Sequence, residues 1–224
     1  MNTGADPVGP TERVLLIHGL WNAKSWLAPL GWRLRRAGFE VEGFGYASVR
    51  DGAEAAIEAL LARLRGAPPL HLVGHSLGGM IGLEALRRAP GLPVRRMVCL
   101  GSPLCGSGTA RALAQRPRLG WTLGRSAPLL RTGCGQWDGR VPVGMIAGDV
   151  ARGLGHLLVP QQAPSDGSVA VAETRLPGLA GHCLVHASHT GLVFSAEAAR
   201  QTAAFLRHGA FLAPGAEPAG PRPL

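Results

Sequence analysis

Lysine is almost missing from this chain of 224 residues: Lys24 is the only one, and 22 of the 23 basic residues are arginines. Acidic residues are also few, 14 in all, which leaves a formal charge of +9. A nucleic-acid surface gathers its cations beside stacking aromatics. Here the arginines are scattered, with isolated pairs at Arg35–Arg36, Arg87–Arg88 and Arg95–Arg96, and aromatics make up only 5%. Together with 33 glycines and 18 prolines, the arginine excess reads as a coding bias, and nucleic acid is not expected as a partner.

Other absences exclude further classes. No apolar run approaches the ~20 residues of a membrane span. The stretch Met1–Glu12 lacks the basic and apolar regions of a secretory signal, so a cytoplasmic location is expected. Cys99, Cys105, Cys134 and Cys183 form no C-x-x-C pair and are read as reduced thiols. There is no phosphate loop of the G-x-x-x-x-G-K-S/T type. No His-x-x-x-His pair falls on a helix and no Cys/His quartet has ligand spacing, so neither metal nor cofactor is expected.

What is present is a globular chain with 46% hydrophobic residues, long enough for one domain, placed at residues 1–209 with a disordered tail over 210–224. Its apolar pattern alternates between two periods. Strands are expected at Val14–Ile17, Phe39–Tyr46, Leu70–Val73, Arg95–Leu100, Val141–Ala147 and Cys183–Ala187. Helices are expected from a Ser25 cap to Ala37, after an Asp51–Glu54 capping box, over Met80–Arg88 and over Ser195–Leu206. Strands separated by helices imply an α/β fold, a mostly parallel sheet covered on both faces, with its site beyond the carboxyl ends of the strands.

The chemistry centres on Gly74-His75-Ser76-Leu77-Gly78. In a glycine-rich chain the pentad alone says little, but it lies directly between an apolar strand and a helix. That is the setting of a nucleophile elbow, a sharp turn that lifts a serine hydroxyl above the sheet. A serine needs a base to take its proton and a carboxylate to orient that base. Backbone N–H groups after the first strand and after the nucleophile would hold the oxyanion, which nominates the amides of Leu20 and Leu77. His18 and His75 are expected to support these loops. Trp21 and Trp26 are candidates for an acyl pocket.

His189 follows the sixth strand, where a base must sit to reach Ser76. His182 and His186 fall before and within that strand, and His208 near the tail. Among the carboxylates after the elbow, Asp149 and Asp166 both remain open as the orienting acid. Glu84, Asp138 and Glu173 fall at the wrong places along the chain.

His18-Gly-Leu-Trp, Gly74-His-Ser-Leu-Gly-Gly, Gly101-Ser-Pro, Ser165-Asp-Gly-Ser-Val and Ser188-His-Thr-Gly-Leu together resemble an α/β-hydrolase of the lipase and carboxylesterase group. Bacterial relatives of the GPI inositol-deacylases look similar. The resemblance implies a Ser76–His189–Asp166 triad, preferring Asp166 over Asp149, and an acyl-enzyme route for small or lipid esters. A thioesterase or acyltransferase with the same residues is the alternative within enzymes, and a non-catalytic ligand-binding protein the alternative outside them.

Residues 105–140 break the alternation and carry six arginines against Asp138. Their place suggests a small cap, with Leu113, Leu119, Trp121, Leu123, Leu129 and Leu130 as its apolar face and Trp121 as a substrate contact. The arginines suggest a weak association with anionic lipid surfaces.

Overall fold

A computed structural model of the chain describes residues 11–116, 120–152 and 164–213. Six strands form one parallel sheet: β1 (Arg13–Ile17), β2 (Glu40–Phe44), β3 (Leu70–His75), β4 (Val94–Leu100), β5 (Val143–Gly148) and β6 (Gly181–Val185), in the spatial order β2-β1-β3-β4-β5-β6. Successive side chains of a strand point to opposite faces. Here Leu15, Ile17, Leu72, Met97, Cys99 and Met145 enter one apolar cluster, while Val14, Leu16, Val73, Val98, Leu100 and Ile146 enter a second. The sheet is therefore apolar on both sides, and both must be covered.

Helices α1 (Ala28–Arg36) and α7 (Ala196–His208) cover the second cluster through Leu30, Leu34, Ala199 and Phe205. Helices α2 (Gly52–Leu64) and α3 (Leu77–Arg88) cover the first through Ile57, Leu60, Met80 and Ile81. Between β4 and β5 lie α4 (Gly108–Ala114), a 3-10 stretch over Gly120–Ser126 and α5 (Ala127–Thr132). The short α6 (Gly191–Phe194) precedes α7. Among the described residues no helix is long and apolar enough to cross a membrane. The four cysteines are free thiols.

Several boundaries differ from expectation, each for a physical reason. Ser25 caps nothing: it lies inside a 3-10 helix over Lys24–Leu27, and α1 starts at Ala28. Pro29, with φ already helical and no N–H to satisfy, suits that first turn. The capping box at Asp51 does not form, because Arg50 takes the Asp51 carboxylate and Glu54 reaches Arg88 at 2.8 Å. Helix α3 begins at Leu77, three residues early. Gly78 and Gly79 read as turn residues, yet a Cβ on Gly78 would collide with the Ile17 carbonyl and one on Gly79 with the Ser102 hydroxyl. Their glycines let the helix sit tightly on β1 and the loop after β4. Strand β6 starts at Gly181, so His182 is within it and His186 just beyond. Of the expected tail over 210–224, residues 210–213 are described and are held to α7, Phe211 packing on Phe205 and the Leu212 N–H donating to Gln201 Oε1 at 2.9 Å; the rest lies outside the described residues.

The order 2-1-3 places a topological switch between β1 and β3. A ligand crevice is expected above the carboxyl ends at such a point. The loop after β1 and the elbow after β3 both open there.

Candidate active site

Ser76 joins β3 to α3 with φ +55°, one of two positive-φ residues other than glycine among the described residues. Its backbone is held by its N–H donating to the Leu100 carbonyl at 2.9 Å and by its carbonyl accepting from Gly79 at 3.1 Å. A Cβ on Gly74 would run into the Gly79 amide, so the turn can close this sharply only with glycines on both sides. Leu77 is the first residue of α3, where an amide has no partner within the helix.

Asp166 and His189 meet at 2.7 Å, Oδ2 to Nδ1. Their backbones are tied as well, the His189 N–H donating to the Asp166 carbonyl at 2.9 Å. The other carboxylate oxygen, Oδ1, accepts the amides of Ser168 at 2.9 Å and Val169 at 2.7 Å. The Asp-Gly-Ser-Val segment is thus a turn and an orienting arm at once: one oxygen closes the turn and the other faces the imidazole. Asp166 is buried, 1% exposed. Gly101, at φ +54°, packs against this pair; a Cβ there would lie 3.0 Å from Oδ2 and 3.1 Å from His189 Nδ1. Sequence reading saw Gly101 only as part of a motif, and this close approach is what requires it.

Asp149 goes elsewhere. It follows β5, and its Oδ1 bonds His186 Nδ1 at 3.0 Å on the surface, where the His186 side chain is 87% exposed. The neighbouring ends of β5 and β6 therefore make two Asp–His pairs, only one of which faces the elbow.

Four other histidines, His18, His71, His75 and His182, are buried or half-buried. His18 donates from Nδ1 to the Gly19 carbonyl at 2.9 Å and stacks on Tyr46, whose hydroxyl donates back to the His18 carbonyl at 2.7 Å. Burial holds the pKa of His18 and His71 below the usual range. Burial pushes His182 down to about 4 and His75 to about 3, the latter with help from the adjacent His189. These groups are neutral in the fold but accept protons once unfolded, near 6.5, so stability falls as pH drops below that value. The melting temperature is expected to decrease steadily from pH 6.5 to 4.5, before most carboxylates titrate. A flat scan over that window contradicts the buried neutral state.

Above the strand ends lies a cavity of about 520 Å³, lined by Leu20, Trp21, Trp26, Ser76, Leu113, Leu123, Leu130, Arg152, Val169 and His189 among others. Its size and mostly apolar wall suit a small ligand. Trp21 and Trp26 stand on this wall, but Trp121 does not: it is 75% exposed and outside it. Leu113, Leu123 and Leu130 of the 105–140 segment line the cavity instead, because helix spacing in so short and broken a segment does not say which side faces inward. Leu119 lies outside the described residues. Asn22 and Arg152, which lack a motif, also line the cavity, as does Thr190 of the His189 segment. No group of three or more His, Cys, Asp or Glu side chains among the described residues is placed to hold a metal.

The model of the alpha/beta hydrolase family matches residues 14–220. The chain belongs to the alpha/beta hydrolase family. Among solved structures, this hydrolase resembles the mature form of a Bacillus licheniformis lipase at 20% identity, over 92% of this chain and 94% of that one, with a TM-score of 0.67. Phospholipase PlaB from Legionella pneumophila aligns at 16% identity over 87% of this chain and 57% of that one, TM-score 0.67. A putative hydrolase from Xanthomonas campestris aligns at 18% over 88% and 98%, TM-score 0.56. No curated protein matches the sequence significantly. At these identities the likeness speaks for the fold.

Proposed function

We propose that the chain hydrolyses carboxylic esters through an acyl-enzyme. The observation carrying this reading is the pairing of the buried Asp166 with His189, whose imidazole shares a cavity wall with the strained Ser76. With Nδ1 given to Asp166, the Nε2 atom of His189 is left to take the Ser76 proton as Oγ attacks the ester carbonyl. The oxyanion is held by the Leu20 and Leu77 amides. His189 then gives its proton to the departing alcohol, and a water repeats the sequence to release the acid. The folds of a lipase and a phospholipase among the similar structures agree with a small or lipid ester as substrate. Residues 105–140 act as the cap over the acyl chain, and their arginines favour an anionic lipid surface.

A series of p-nitrophenyl esters from acetate to palmitate tests this directly. Turnover of at least one, together with labelling by a fluorophosphonate, is expected; no turnover and no labelling overturns it. The same series locates acyl selection. Leu113→Trp fills the cavity roof and is expected to lower kcat/KM for esters of eight or more carbons about tenfold while acetate changes little, since each buried methylene contributes roughly 0.8 kcal/mol. Trp121→Ala, at an exposed position, is expected to leave both the length profile and the melting temperature unchanged.

A further inference from the structure

The order of the sheet sets a problem for any reaction at Ser76. The elbow follows β3, but His189 follows β6, and two strands lie between them. At the usual strand spacing, the two strand ends are about 14 Å apart. The segment after β6 must cross back over the sheet for its imidazole to share a wall with Ser76. Asp166 fixes the residue on one side, binding both its backbone N–H and its Nδ1. Asp166 itself lies next to β5 and β6, since a Cβ on Gly148 would press on it, so this tie does not reach the elbow.

The missing tie comes from the residue before the nucleophile. His75, the last residue of β3, places Nε2 3.0 Å from the His189 backbone carbonyl, across 114 residues of sequence. A carbonyl only accepts, so Nε2 must carry the proton and donate. The rings lie 4.8 Å apart at 46°. The geometry points to His75 as a positioning residue, which fastens the loop carrying His189 to the elbow through its Nε2–H. This rests on the esterase reading above.

Three features fit this role. His75 is only 2% exposed, so the bond is shielded from competing water. Its other nitrogen, Nδ1, is buried without a protein partner among the described residues, so the bond to the His189 carbonyl is the ring's one hydrogen bond there. Burial and the neighbouring His189 hold it neutral, so no second cation faces the imidazolium that forms at His189 in each half-reaction. A rigid ring thus supplies one N–H without charge.

The tests separate the bond from the bulk. His75→Phe keeps a ring and removes the donor; kcat is expected to fall by about 10- to 100-fold, with KM within about threefold, because a small misplacement of a base is felt in the chemical step. Glutamine can place an amide N–H where Nε2 sits, whereas asparagine reaches only as far as Nδ1. His75→Gln should therefore restore kcat to within about fivefold of the native value, and His75→Asn should not. Combining His75→Phe with Asp166→Asn should cost little more than Asp166→Asn alone, since both act through His189. Native kcat in His75→Phe, or equal losses in the Gln and Asn variants, overturns the proposal. Nitrogen NMR on the unmodified protein provides a reading that does not depend on any variant folding or on any ester being turned over. It should find His75 protonated at Nε2 and bare at Nδ1; the opposite tautomer overturns the bond. If no ester is hydrolysed yet the tautomer is as expected, the esterase reading fails and the tie stands.

Discussion

Replacing Ser76 with alanine is expected to remove ester hydrolysis, with kcat falling by about 10⁴–10⁶, and to remove labelling by a fluorophosphonate altogether. The size follows from what is left behind. The oxyanion amides and the cavity still bind the substrate, but no atom remains for His189 to deprotonate, and such loss of a nucleophile leaves only the residual effect of binding and polarisation. The fold should hardly notice. Ser76 already sits at φ +55° against its neighbours, and its backbone is held by the Leu100 carbonyl and the Gly79 amide, neither of which involves the hydroxyl. Alanine meets the same strain with the same Cβ, so the melting temperature should shift by no more than a degree or two. Mass spectrometry of the labelled protein checks the assignment. A label found on the alanine variant at native stoichiometry would move the nucleophile elsewhere.

What could be read from the sequence depended on whether the signal was local. The inner strands were legible because they are apolar on both faces, the edge strand β2 because its apolar residues alternate, and the elbow because two glycines flank a serine between a strand and a helix. The position of His189 was legible from order along the chain alone. The competition between Asp149 and Asp166 was not settled by the residues themselves. The adjacency of β5 and β6 pairs Asp149 with His186 on the surface, while Asp166 pairs with His189. The caps at Ser25 and Asp51 failed for a similar reason: a local pattern lost to a proline one turn on and to an arginine next door. The early start of α3 required knowing that β1 passes close to Gly78. His75 carried no signal beyond its place in the pentad, because its partner is a backbone atom 114 residues away.

The two aspartates give the sharpest contrast. Asp166→Asn is expected to lower kcat by roughly 10²–10⁴, whereas Asp149→Asn should stay within about threefold of native. In the Asp166→Asn protein, the amide oxygen can still accept the N–H groups of Ser168 and Val169, so the turn should persist and stability with it. The amide nitrogen then faces His189 Nδ1. Two N–H groups cannot face each other, so the imidazole is driven to the tautomer that bares Nδ1 and protonates Nε2. That form cannot take the Ser76 proton, and the charge that stabilised the imidazolium is gone as well. Asp149 has no such leverage: its partner His186 is 87% exposed at the side chain, and surface pairs of this kind contribute about 0–1 kcal/mol. Measuring kcat and melting temperature for both variants on one ester resolves the question. If Asp149→Asn is the crippled enzyme and Asp166→Asn the active one, then the surface pair is the working one and His186 replaces His189 as the base.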